Sequence, residues 1–151
     1  MKPIRVLVCD DHTILREGLV ALLAASGDCE VVGQAADGMA AVEMALKLRP
    51  QVVVVDLSMP RLNGIEVVRR LTAELEGVRI LVLTMHSEEE YVVHVVRAGA
   101  SGFLLKDSAG SELLAAVRAL AAGRGYFGGH AAKVLAQQMQ QPHARLEDPY
   151  R

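Results

Sequence analysis

Five times along the chain, a short run of β-branched and aliphatic residues gives way to a segment with helical periodicity. No other feature restricts the fold as strongly. IRVLVCD (4–10) precedes TILREGLVALLAAS (13–26), where Ile14, Leu15, Leu19, Leu22 and Leu23 fall on one face at helical spacing. EVVGQAA (30–36) precedes GMAAVEMALKLRP, a helix stopped by Pro50. VVVVD (52–56) precedes NGIEVVRRLTAEL, whose Asn63 and Glu66 stand at capping-box spacing. RILVLT (79–84) precedes SEEEYVVHVVRAG, with Ser87 and Glu90 spaced in the same way. GFLLKD (102–107) precedes SELLAAVRALAAG (111–123), with a stripe of Leu113, Leu114, Val117 and Leu120. Five βα units predict an α/β fold, a doubly wound five-stranded parallel sheet flanked by helices, with strands in the order 2-1-3-4-5. Near-continuous apolar strands such as VVVVD suit a sheet covered on both faces.

Composition narrows the class. Apolar residues make up 52% of the 151 residues and aromatics only 3%, so the core must be built from Val, Leu, Ile and Ala. A net charge of −2 argues against this chain holding nucleic acid by itself, because phosphate contacts demand a basic face. No apolar run is long enough to span a membrane, and the start turns acidic at Asp10 and Asp11, too soon for a signal peptide. Cys9 lies in an apolar strand and Cys29 near a turn. They are read as free thiols in a reducing cytoplasm. The domain is expected to cover 1–124. An extra C-terminal helix is expected over 125–141, and PHARLEDPYR (142–151) reads as an interdomain linker.

In such a sheet, sites form beyond the carboxyl ends of the strands. There the sequence places Asp10 and Asp11 after strand one, Asp56 after strand three, Thr84 after strand four and Lys106 after strand five. Two like charges about 4 Å apart repel by roughly 4 kcal/mol at an effective dielectric near 20, so three clustered carboxylates need a proton or a cation. An all-oxygen acidic pocket selects a hard divalent ion such as Mg²⁺. With that ion present, Asp56 is suited to accept a phosphoryl group as a nucleophile. Lys106 is then placed to pair with the transferred group, and Thr84 to donate a hydrogen bond to it.

CDDH, VVVVDLSMPRLNGIE, VLTMH and GFLLKD, in this order, resemble the receiver domain of bacterial response regulators, the CheY-like fold, over about residues 3 to 123. The stretch TMHSEEEYVVHVVRAGASGFLLKD is similar to the NarL/FixJ (LuxR-type) class, whose second domain is a DNA-binding helix-turn-helix. The resemblance implies that Asp56 is the phosphoacceptor, taking its phosphoryl group from a histidine kinase. It implies Asp11 as the main Mg²⁺ ligand, Asp10 acting through water, and the backbone carbonyl of Ser58 completing the set. Thr84 and Phe103 would be the switch pair, Phe103 rotating inward as Thr84 moves. The change would be read on helix four, strand five and helix five, through homodimerisation or relief of inhibition. DNA would be reached only through an effector domain beyond the linker. A receiver acts on itself, catalysing its own phosphoryl transfer and slow self-dephosphorylation, and is not otherwise an enzyme.

Other classes fit less well. A haloacid-dehalogenase-type phosphatase wants a second acid two residues after its nucleophile, and here Ser58 stands there. A flavodoxin-like FMN site needs a hydroxyl-rich loop after strand one, where DDHT would repel the phosphate. A receiver used as a binding module without phosphorylation is the nearest competitor. His12, His86, His94, His130 and His143 share no metal spacing and read as surface or capping residues, and Tyr91 as helix packing or partner surface.

Overall fold

A computed structural model of the chain describes residues 2–59, 61–85, 89–127 and 136. The elements run β1 (Ile4–Cys9), α1 (Thr13–Ala25), β2 (Cys29–Ala35), α2 (Gly38–Leu48), β3 (Val52–Asp56), α3 (Gly64–Glu74), β4 (Arg79–Thr84), α4 (Glu89–Ala98), β5 (Gly102–Leu105), α5 (Lys106–Ala121) and β6 (Tyr126–Phe127). The sheet is parallel with order β2-β1-β3-β4-β5-β6, so the expected five-strand order holds and one short strand is added.

Alternation along each strand sends side chains to two cores. Leu7, Cys9, Val53, Val55, Ile80, Val82 and Phe103 face α2, α3 and α4, whereas Val6, Val8, Val52, Val54, Leu81, Leu83 and Leu104 face α1 and α5. The four valines of β3 are at most 1% exposed, and each contributes roughly 1.5–3 kcal/mol of burial. This is why the central strand reads as unbroken valine. The Cys9 thiol is fully buried, and desolvation pushes its ionisation far above the ordinary range, so it behaves as a small apolar side chain. Both cysteines are free.

Helix ends follow local chemistry. The Asp37 side chain accepts from Ala40 N at α2, and Asn63 accepts from Glu66 N at α3, as its spacing predicts. Helix α2 stops at Arg49, which takes a left-handed φ of 49° just before Pro50. Three expectations are corrected. Helix α5 starts at Lys106 instead of residue 111, because Ala109, fully buried, extends the stripe of Leu113, Ala116, Val117 and Leu120 one turn backwards. On α1 only Leu19 and Leu23 are buried. Ile14 is 87% exposed and Leu22 36%, both turned away from the sheet. Tyr126 and Phe127, expected to lead the extra helix, instead form β6. Gly102 makes room for that strand, since a Cβ there would lie 2.7 Å from Tyr126 O, and Tyr126 Oη donates to Glu112 Oε1 at 2.8 Å.

The Ser87–Glu90 cap, His86, the Tyr91 side chain, most of the extra helix with His130, and the linker with His143 lie outside the described residues. Among the described residues, no helix is long and apolar enough to cross a membrane.

Candidate phosphoacceptor site

Strands β1 and β3 are neighbours in register, with Cys9 beside Val55, so the residues that follow each of these, Asp10 and Asp56, emerge side by side at the carboxyl edge. Asp56 also pairs with Leu83 of β4, which sets Thr84 one step beyond it. The loop after Asp56 is held down by two backbone hydrogen bonds, Leu57 N to Leu83 O (2.9 Å) and Gly64 N to Leu57 O (3.0 Å). Gly64 is needed for that closure: a Cβ there would lie 2.6 Å from Leu57 Cα and 2.7 Å from Asp56 O.

One donor atom each from Asp10, Asp11, His12 and Asp56 lies within 4.8 Å of all the others. Asp10 and Asp56 are buried (0% and 1% exposed side chains), while Asp11 is 32% exposed. Lys106, at the first residue of α5, brings Nζ to 3.0 Å from Asp56 Oδ2 and 3.6 Å from Asp10 Oδ2. An ammonium at a helix N-terminus opposes the helix dipole, and the two buried carboxylates offset that cost. The approach is that of an ion pair without hydrogen-bond alignment, and the Oδ2 atoms of both Asp10 and Asp56 are buried without a hydrogen-bond donor. Their Oδ1 atoms are engaged. Asp10 Oδ1 accepts from His12 N at 2.8 Å, and Asp56 Oδ1 accepts from Ser58 N at 3.2 Å.

Burial is the main influence on Asp56 and raises its carboxyl above the ordinary value of 3.8. Asp10 pushes the same way, while the Ser58 N–H and Lys106 pull against them. Three carboxylates share one ammonium, and the two buried Oδ2 atoms that pair with it accept no hydrogen bond, which leaves the pocket short of positive charge. The donor set is hard oxygen from carboxylates, which suits a divalent cation of the Mg²⁺ type. The residues present therefore fit the ion that the sequence implied.

The other expected site residues are placed as follows. Thr84 is fully buried at the end of β4, on the same sheet face as Val82. Phe103 pairs with Val82 and shares that face. It is only 2% exposed, so the expected inward rotation has no outward starting point here. His12 is exposed at the N-cap position of α1, in line with the surface reading, but caps with no side-chain hydrogen bond, and its Nδ1 sits 3.1 Å from Asp10 Oδ1 and 3.0 Å from Lys106 Nζ. His94 is corrected from a surface role, being 7% exposed on α4. Arg16, not singled out from the sequence, reaches back from α1 to donate from Nη1 to Asp10 O at 2.6 Å. Arg16 lies six residues from Asp10, which precedes α1, so no helical spacing links the two. Only packing reveals the bond.

A doubly wound parallel domain with a buried carboxylate cluster and a lysine at its carboxyl edge defines the class of phosphoacceptor-type signalling domains. The chain belongs to the response regulator receiver domain family, whose model matches residues 6–118. It is 42% identical over 124 residues to the transcriptional regulatory protein DegU of Brevibacillus brevis, covering 82% of this chain and 52% of DegU. The chain thus spans about half the length of that relative. Among solved structures, the signal receiver domain of the response regulator NarL from Mycobacterium tuberculosis superposes with a TM-score of 0.79 at 40% identity, covering 82% of this chain and all of that one. A two-component response regulator of the LuxR family from Aurantimonas sp. SI85-9A1 gives 0.85 at 34% identity, covering 92% and 99%.

Proposed function

We propose that Asp56 is the phosphoacceptor of this receiver domain, that Mg²⁺ fills the acidic pocket, and that a histidine kinase is the donor. The observation that carries this reading is the pair of buried Oδ2 atoms of Asp10 and Asp56, which accept no hydrogen bond and share the ammonium of Lys106. A Mg²⁺ ion held by Asp10, Asp11, Asp56 and the Ser58 carbonyl would supply the positive charge that lets an anionic phosphoryl group approach these acids. The Ser58 N–H holds Asp56 Oδ1, which leaves Oδ2 as the attacking atom. As the oxygen–phosphorus bond forms, the bond between phosphorus and the kinase imidazole breaks, and the electron pair leaves on nitrogen. Lys106 stays beside Oδ2 to pair with the transferred oxygens, and the Thr84 hydroxyl donates to one of them. Movement of Thr84 is transmitted along the face it shares with Phe103 to α4, β5 and α5. Because Phe103 is already inside, the readout on this reading is a repacking of α4, β5 and α5 around a fixed ring. The whole protein would act in the cytoplasm, with residues 1–124 as its receiver and 142–151 leading to a DNA-binding domain. Dimerisation or relief of inhibition would couple the two.

The mouth of the site fits a docking donor. Ile14 (87% exposed) and Met85 (74% exposed) flank His12 and Lys106 around an open cleft of about 410 Å³. Exposed apolar groups ringing a charged centre suit a partner that covers it during transfer. Ile14→Asp is expected to slow phosphorylation by a histidine kinase about tenfold, the scale of one lost interface anchor. Labelling by acetyl phosphate, which needs no docking, stays unchanged. Equal loss with both donors would place the effect on the chemistry and not on docking.

The crowding of acids carries a prediction with a definite sign. A carboxyl whose folded-state value is raised holds its proton longer in the folded chain than in the unfolded one. Stability is therefore lost as pH rises from about 4 through that raised value, and the penalty is complete above it. Asp56→Asn is expected to melt a few degrees higher than the wild type in EDTA near neutral pH, with a gap that narrows towards about pH 4 and on adding Mg²⁺. Thermal melts of both proteins across that range check this. A lower melting temperature for the variant in EDTA would mean that the pocket does not strain the fold.

A further inference from the structure

A row of side chains crosses one face of the sheet in register: Cys9, Val55, Val82, Phe103 and Phe127, one each from β1, β3, β4, β5 and β6. The first four belong to one core, and Phe127 packs against it. With strands about 4.8 Å apart, the row runs roughly 19 Å. It starts beside Asp10 and Asp56, which follow its first two members in the chain, and it ends on the edge strand. Thr84 stands two residues beyond Val82 on the same face.

Phe127 closes that row. Strand β4 flanks Phe103 on one side and β6 on the other, so a Phe103 ring leaving the core towards the sheet edge would cross the place that Phe127 takes. Phe103 is 2% exposed, whereas Phe127 is half-buried. The strand that carries Phe127 is seated by few bonds. Tyr126 N donates to Ser101 O at 3.3 Å and Tyr126 Oη to Glu112 Oε1 at 2.8 Å, and just before the strand Arg79 Nη2 donates to Arg124 O at 2.8 Å. A two-residue strand held so lightly belongs to the part of a fold that opens at low cost.

We propose that β6 is a latch on the switch, a role that rests on the acceptor reading above: Phe127 holds the Phe103 ring inward, so that docking of β6 and loading of Asp56 favour each other. Thr84, drawn towards a phosphoryl group, leaves space on the face it shares with Phe103, and an inward ring fills that space. A ring already kept inside lowers the cost of the step. Linkage then requires the reverse, that loading tightens β6 by the same factor. Residues 128–151 follow β6 directly, so the event at the acceptor reaches the outgoing chain through a single layer of side chains. Phe127 is a positioning residue, because it acts through Phe103 and not on the phosphoryl group.

The test uses the full chain with Mg²⁺ and beryllofluoride, a non-covalent mimic of the phosphoryl group. Phe127→Ala is expected to weaken beryllofluoride binding about fivefold or more while changing Mg²⁺ affinity less than about twofold. In the wild type, saturating beryllofluoride should slow hydrogen exchange of the Tyr126 amide by a similar factor. A melting curve establishes that the variant is folded, and the wild-type exchange measurement does not depend on it. A merely structural Phe127 would lower the melting temperature and leave beryllofluoride affinity as it was. Unchanged affinity in the folded variant, or unchanged Tyr126 exchange in the wild type, would overturn the latch and leave the acceptor site standing. Failure of the wild type to bind beryllofluoride with Mg²⁺ would remove both readings together.

Discussion

Asp56→Asn is expected to reduce labelling by radioactive acetyl phosphate in the presence of Mg²⁺ to background. The amide keeps the shape of the carboxylate but loses the anionic oxygen that attacks phosphorus. The surroundings leave few substitutes. Asp10 is fully buried, and its Oδ1 is held by the His12 N–H. Asp11, a third exposed, lies at the rim and lacks a contact with Lys106. The effect on the fold should be opposite to the effect on chemistry, because the substitution removes a buried charge. A folded protein without label is therefore the expected phenotype, and circular dichroism on the same sample establishes it. Undiminished labelling of the Asn variant would assign the acceptor elsewhere.

The largest expected stability effect belongs to Gly64. A Cβ at this position would lie 2.6 Å from Leu57 Cα and 2.7 Å from Asp56 O, both backbone atoms of the loop that carries the acceptor. Neither can rotate away as a side chain would, so the start of α3 and the end of β3 must separate. Gly64→Ala is expected to cost about 2–3 kcal/mol, or roughly 6–10 °C in Tm, as overpacking against the backbone does. Urea denaturation should show a lower midpoint with an unchanged slope. Displacement of Asp56 should also slow phosphorylation in the protein that remains folded. Gly110 is the control. It sits within α5, and a Cβ added there would meet nothing within 4 Å, so Gly110→Ala should stabilise by about 0.5–1 kcal/mol through helix propensity. Equal behaviour of the two variants would mean that close backbone approach at Gly64 does not hold the loop.

The architecture was legible because burial on both faces forces unbroken apolar strands, and VVVVD and RILVLT carry that signature in their composition. Site residues were legible for a related reason. A charge immediately after such a strand must sit at a sheet edge, and the parallel order then brings Asp10, Asp56 and Lys106 to one place. What escaped depended on packing that periodicity does not encode. The helix read from the sequence begins at residue 111, yet Ala109 fills a fully buried position and draws the preceding turn of chain into α5. Ile14 and Leu22 look like core on a helical wheel but face outwards, because the buried stripe of α1 is as narrow as Leu19 and Leu23. A two-residue strand such as β6 has too short a period to announce itself, and depends on the bare backbone of Gly102. His12 follows the acid pair directly, but only three-dimensional proximity to Lys106 shows that its ring turns into the pocket. Phe103 pairs with Val82 on the face that Thr84 also occupies, and that its ring is already buried, 2% exposed, is a matter of packing that the strand pattern does not encode.

The most direct measurement is localisation of the phosphoryl group by mass spectrometry after incubation with acetyl phosphate, with Mg²⁺ and with EDTA. One added phosphoryl group on the peptide bearing Asp56, present with Mg²⁺ and absent with EDTA, is the result this account predicts. A modified peptide that excludes Asp56, or equal modification in EDTA, would contradict it.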